Sequence, residues 1–164
     1  MVPRIDLVLA ALNSHDVDYL VVDGVAAVLH GHLRTTADLD LVVRLEPANA
    51  LRAIAALEGL AYRPHAPVAA AAFADADQRE TWIREKGMTV FSLWSSRLPT
   101  LEVDLFVREP FDFDAARSRA IEVTLESTHA WIAAIDDLIA LKRVANRPKD
   151  LDDIRALEEL RRDD

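Results

Sequence analysis

Apolar side chains recur at helical spacing through Ile5, Leu7, Val8, Leu9 and Leu12 and stop at Asn13-Ser14, which predicts a helix over 4–14. Tyr19 to Val22 is an unbroken apolar run after Asp16 and Asp18 and reads as a buried strand. Gly24 interrupts it, and Val25 to His30 resumes as a short helix closed by Gly31. A second strand, Leu39 to Val43, is entered through Arg34-Thr35-Thr36, and Pro47 opens a helix running to about Leu57. Further on, Tyr62 marks a short strand and residues 64–75 a loop ending in an Ala-rich turn. A helix over 77–86 ends at Gly87, and strands are predicted over 89–94 and 101–107. A short helix over 113–119, strands near 121–125 and 129–132, and two helices over about 135–145 and 149–161 complete the pattern.

Alternating strand and helix signals predict an α/β (α+β) domain: a mixed sheet flanked by helices, with helices at the C-terminus. One domain spanning 1–164 is expected, its core over about 17–132 and its helical part over about 133–164. With no cysteine, disulfides, thiolate metal sites and Cys nucleophiles are excluded. The first residues carry charge where a signal peptide needs apolar chain, and no apolar run approaches the roughly 20 residues of a membrane span. The expectation is a cytoplasmic protein with no membrane partner. A net charge of −9 repels polyanions and argues against a nucleic-acid coating protein, yet leaves a nucleotide substrate open because divalent cations reverse the local sign. Against that average, Lys142, Arg143, Arg147 and Lys149 form an acid-free basic stretch, either a solvated helix end or a phosphate-facing patch.

The chemistry concentrates in Asp38-Leu39-Asp40-Leu41-Val42-Val43. Side chains alternate across a strand, so Asp38 and Asp40 share one face, about 6.5–7 Å apart, while Leu39, Leu41 and Val43 take the other. Carboxylates so placed repel each other unless a cation lies between them, and Mg²⁺ commonly uses one or two carboxylates plus substrate phosphates. Glu102 and Asp104 share a face in the same way, opposite Val103, Leu105 and Val107. If the two strands are neighbours, Asp38, Asp40 and Asp104 form one cluster able to hold divalent metal. Alone, an Asp-x-Asp strand more often carries two solvated carboxylates. Upstream, Gly24 lies in a strand–turn–helix where phosphate can approach backbone. Arg34 can reach a phosphate or simply pair with a carboxylate.

Together, Asp23-Gly24-Val25-Ala26, then Gly31-His32-Leu33-Arg34-Thr35-Thr36-Ala37 and the Asp38–Val43 strand, resemble the opening of the nucleotidyltransferase superfamily. The nearest likeness is to the AbiE-type toxin nucleotidyltransferases and their small bacterial relatives. The tail, with Asp136-Asp137-Leu138-Ile139-Ala140-Leu141-Lys142-Arg143 and Arg147-Pro148-Lys149-Asp150, is similar to that group's C-terminal helices. The resemblance implies Mg²⁺ (or Mn²⁺) held by Asp38, Asp40 and Asp104, the catalytic carboxylates. It implies a nucleotide site involving Gly24, Val25, Arg34 and Lys142. It implies transfer of NMP from NTP to an acceptor hydroxyl of RNA, tRNA or protein, and a cognate toxin or antitoxin as partner. One departure is that Gly24 is followed by valine where the family has Gly or Ser. A catalytically degenerate regulatory module on the same fold is the second reading, and a metal-dependent phosphohydrolase the third.

Other candidates are weaker. His30 and His32 flank Gly31, and His15, His65 and His129 are scattered. Four glycines form no Walker or dinucleotide pattern. Trp82, Phe91 and Trp94 can stack on a base, but core packing is the commoner use of such residues. Arg147, Asp150 and Asp153 are expected to join the last two helices by ion pairs, with Asp150 as an alternative cap for the final one.

Overall fold

The computed structural model describes residues 4–31, 38–145 and 147–163. Its elements are α1 (Ile5–Ser14), β1 (Tyr19–Val22), α2 (Asp23–Leu29), β2 (Asp38–Val43), α3 (Pro47–Glu58) and β3 (Tyr62–Pro64). A 3₁₀ turn (Ala70–Ala74) leads into α4 (Ala76–Lys86), β4 (Val90–Ser95) and β5 (Glu102–Phe106). Then come α5 (Phe113–Arg119), β6 (Ile121–Thr124), β7 (His129–Ile132), α6 (Ile135–Ala145) and α7 (Pro148–Asp163). The chain is thus the mixed α/β sheet with C-terminal helices that its periodicity predicts.

Seven strands form one sheet in the order β3-β4-β5-β2-β1-β7-β6. Parallel pairing of β2 with β5 and of β1 with β7 is framed by antiparallel pairs. The period-2 alternation sets the layers. On one face Leu39, Leu41, Val103, Leu105, Phe91 and Leu93 are buried among α1, α3 and the segment leading into α4. The stacked rings of Trp82 and Phe91, with centroids 5.1 Å apart and 4° between planes, belong to this core, as does Phe73 at 5.4 Å from Phe91. Two of the three aromatics considered for base stacking are therefore packing residues; Trp94 is 41% exposed. α4 is capped at its start by Asp75, whose Oδ1 accepts the Asp77 N–H at 2.9 Å, and at its end by Gly87 with φ +61°.

The opposite face carries α2, which packs on β1 and β2 and touches α6, and α6 packs along α7. Between these helices and the acidic positions of β2 and β5 the face stays open. No helix among the described residues is long and apolar enough to cross a membrane.

Candidate active site

The two acidic strands are neighbours, and their register is what builds the site. Asp40 is the register partner of Asp104, and Asp38 of Glu102. On β5's other side Ser92 pairs with Asp104, and on β2's other side Val22 pairs with Asp40. Register partners share a face at roughly 4.8 Å strand spacing, so Asp40 and Asp104 stand side by side. They floor a cleft of ≈ 670 Å³ whose walls include Asp23, Gly24, Asp38, Lys142, Arg147 and Asp153, with Val90, Phe106, Pro110, Leu141 and Val144 as apolar lining.

Crowding of carboxylates has a clear electrostatic signature. Burial, then the charges of Asp23, Asp104 and Asp38, push the Asp40 carboxyl up to about 8, with Lys142 opposing. Burial likewise raises Asp104, helped by Asp38 and Glu102 and resisted by hydrogen bonding with Ser92 and Asp40. Asp38, at the exposed start of β2, is raised by partial burial and by Glu102. Asp104 Oδ1 is buried and has no hydrogen-bond partner among the described residues. A buried acceptor left this way costs free energy unless something fills it.

The glycine turn differs from expectation in one respect. The left-handed residue at the β1–α2 junction is Asp23, the first residue of α2, with φ +61°, and Gly24 and Val25 follow it in the helix. Val25 therefore imposes no restriction on the turn; its side chain is 1% exposed in the core and does not line the cleft. Gly24 does line it. Arg34, with the rest of 32–37, lies outside the described residues.

Lys142 reaches the cleft wall from α6, buried, within an acidic cage. Its Nζ is 2.5 Å from Asp23 Oδ1, 3.1 Å from Asp153 Oδ2 and 3.4 Å from Asp150 Oδ1. Burial alone would lower its pKa, but the bonds to Asp23 and Asp153 raise it, so it stays charged. Asp150 both caps and joins. From the third position of α7 its Oδ2 accepts the Arg147 backbone N–H at 3.0 Å and Nε at 2.9 Å, while Oδ1 faces Arg147 at 3.2 Å. Arg143 pairs with Glu158 at 2.8 Å. Of the basic stretch read from the sequence, Lys142, Arg143 and Arg147 are thus paired with carboxylates of the chain itself. Their charges hold α6 to α7 and to the β1–α2 turn.

No family model and no curated protein sequence matches the chain. Solved structures do. The chain is similar to the lincosamide antibiotic adenylyltransferase LnuA in its lincomycin-bound form, with TM-score 0.62, 14% identity, and coverage of 97% of this chain and 98% of that one. It is similar to ANT(2")-Ia in complex with adenylyl-2"-tobramycin, with TM-score 0.60, 15% identity and coverage of 96% and 90%. It is also similar to an antigenic nucleotidyltransferase-like protein from Paracoccidioides brasiliensis, with TM-score 0.58, 15% identity and coverage of 97% and 77%. The fold is that of a nucleotidyltransferase.

Asp23 and Asp153 line the cleft as well, although the sequence does not mark them as candidates. The sequence pattern places Asp23 only in a turn and Asp153 only among the helix-joining charges. The only local signal was an aspartate beside a glycine at a strand end. The donor set of Asp40 and Asp104, with the orphaned Oδ1, suits a hard divalent cation. Among the described residues, however, no group of three metal-ligating side chains is already gathered around one point.

Proposed function

We propose that the chain is a metal-dependent nucleotidyltransferase that moves NMP from an NTP to an acceptor hydroxyl and releases pyrophosphate. The observation that carries this reading is the in-register pair Asp40–Asp104 at the floor of the cleft, beside Asp38. These carboxylates would hold Mg²⁺ (or Mn²⁺), which supplies charge neutralisation at the phosphates and a more acidic acceptor hydroxyl. The acceptor oxygen attacks the α-phosphorus, the bond to the bridging oxygen breaks, and the electron pair leaves with pyrophosphate. Asp104, whose proton affinity burial raises and whose Oδ1 has no partner among the described residues, is suited to take the hydroxyl proton. Gly24 and Lys142 both line the cleft, where they would meet the nucleotide phosphates.

Charge bears on the acceptor class. A net −9 chain disfavours an RNA or tRNA end and favours a protein side chain or a small molecule. Likeness to antibiotic adenylyltransferases supports the small-molecule side, and resemblance to the AbiE-type toxins supports a role beside a cognate toxin or antitoxin. Incubation with α-labelled NTP and Mg²⁺ in cell extract tests the reading. Labelled acceptor and free pyrophosphate are expected, both absent with Asp40→Ala.

A second reading, a catalytically degenerate module that binds a partner, is favoured by the neutralised Lys142 and by the lack of a gathered three-ligand metal group among the described residues. In that case no NTP produces label transfer or metal-dependent binding heat.

A further inference from the structure

We propose that the Asp23 carboxylate is an internal counter-anion which a nucleotide phosphate must displace to reach Lys142. This rests on the reading of Lys142 as a phosphate contact. A lysine ammonium has three N–H donors and no more. Here the Nζ faces three carboxylates, those of Asp23, Asp150 and Asp153. A phosphate oxygen therefore gains a bond to Nζ only by exchange.

The three carboxylates are not equally replaceable. Asp150 is fully buried and also held by the backbone and guanidinium of Arg147. Asp153 is fixed on α7 with a side chain 13% exposed. The Asp23 side chain is 29% exposed, lines the cleft and stands on the left-handed residue that joins β1 to α2. It is the one that can swing toward solvent.

Two further facts agree. A φ of +61° is one that glycine adopts freely and an L-residue only at a cost, though aspartate tolerates it better than most. Position 23 thus keeps a carboxylate against its backbone preference, the kind of strain that clusters at ligand clamps. Charge counting points the same way. Among the described residues, Asp23, Asp150 and Asp153 outnumber Lys142 and Arg147, so Asp23 adds negative charge where an incoming phosphate would sit. Removing the charge at position 23 frees a donor and lessens that negative charge together. Asp23 is accordingly a specificity-setting residue: it raises the threshold for bare phosphate at Lys142.

The test is isothermal titration of the full chain with inorganic tripolyphosphate in buffer containing EDTA. Asp23→Asn and Asp23→Gly are compared with wild type, since both residues accept a left-handed φ. Each variant should bind at least tenfold more tightly than wild type, and the gain should vanish in Asp23→Asn/Lys142→Gln. Affinity equal to or below wild type in both single variants, or a gain that survives loss of Lys142, overturns the proposal. A merely structural Asp23 would lower affinity and melting temperature together. Label transfer is read separately. Wild-type transfer without a gain in the variants rejects the counter-anion and leaves nucleotidyl transfer standing; a gain without transfer does the reverse.

Discussion

Asp40→Asn isolates the electrostatic cost of the site. Asparagine keeps the shape of a protonated aspartate and can still donate a hydrogen bond toward Asp104, but it never ionises. In the wild-type chain the Asp40 carboxyl titrates at about 8 when folded against 3.8 as a model group. Below pH 3.8 both states hold the proton and the site costs nothing. As pH rises from there the unfolded chain releases its proton first, so stability falls through the window and levels off above about 8. At ~1.4 kcal/mol per tenfold change in proton affinity, the ceiling is about 5 kcal/mol at pH 8 and about 1.5 kcal/mol at pH 5. Relaxation of the site and the high effective dielectric of proteins roughly halve both figures. Asp40→Asn should therefore be more stable than wild type by about 2–3 kcal/mol at pH 8, or ~5–10 °C in melting temperature, and by under ~1 kcal/mol at pH 5. Urea unfolding and thermal melts in EDTA at the two pH values measure this. Mg²⁺ added at pH 8 should stabilise wild type more than the variant, because the variant keeps only two of the three carboxylates proposed to hold it. An equal gain at both pH values, or a loss at pH 8, would refute the crowding of carboxylates at this row of the sheet.

Three other outcomes are expected. Lys142→Met removes the buried cation shared by Asp23, Asp150 and Asp153, and should cost about 3–5 kcal/mol in urea unfolding. Burial would raise Asp150, but its bonds to Arg147 and the charge of Lys142 bring it down to about 2. The stability it contributes is present above 3.8 and lost as pH falls toward 2, so Asp150→Asn should unfold at a higher pH in an acid titration followed by circular dichroism. Asp104→Asn should lower label transfer at least ~1000-fold, as expected where a group acts in the transition state, with an unchanged far-ultraviolet spectrum. Residual transfer near wild type would remove Asp104 from the chemistry.

Element types were legible because they depend on short-range pattern. The alternation in Leu39-Asp40-Leu41 and in Val103-Asp104-Leu105 announces strands with one apolar and one acidic face, and both faces are where that alternation puts them. Most boundaries moved by a residue or two, as helix and strand ends do, and one moved because a single backbone angle decides it. α2 begins at Asp23 rather than Val25, because one left-handed residue turns the strand directly into helix.

Contacts between distant segments were not legible in the same way. That β2 and β5 lie side by side, in the register setting Asp40 against Asp104, follows from how the whole sheet assembles. Likewise Lys142 reads as part of an open basic patch until the fold brings Asp23 to it from the far end of the chain. The sequence alone determined which residues are chemically able, since hydrophobic periodicity and residue type are local properties. Tertiary structure decided which of them meet. A charge takes its energy from neighbours within a few ångströms, and in a sheet built by long-range pairing those neighbours are seldom adjacent in sequence.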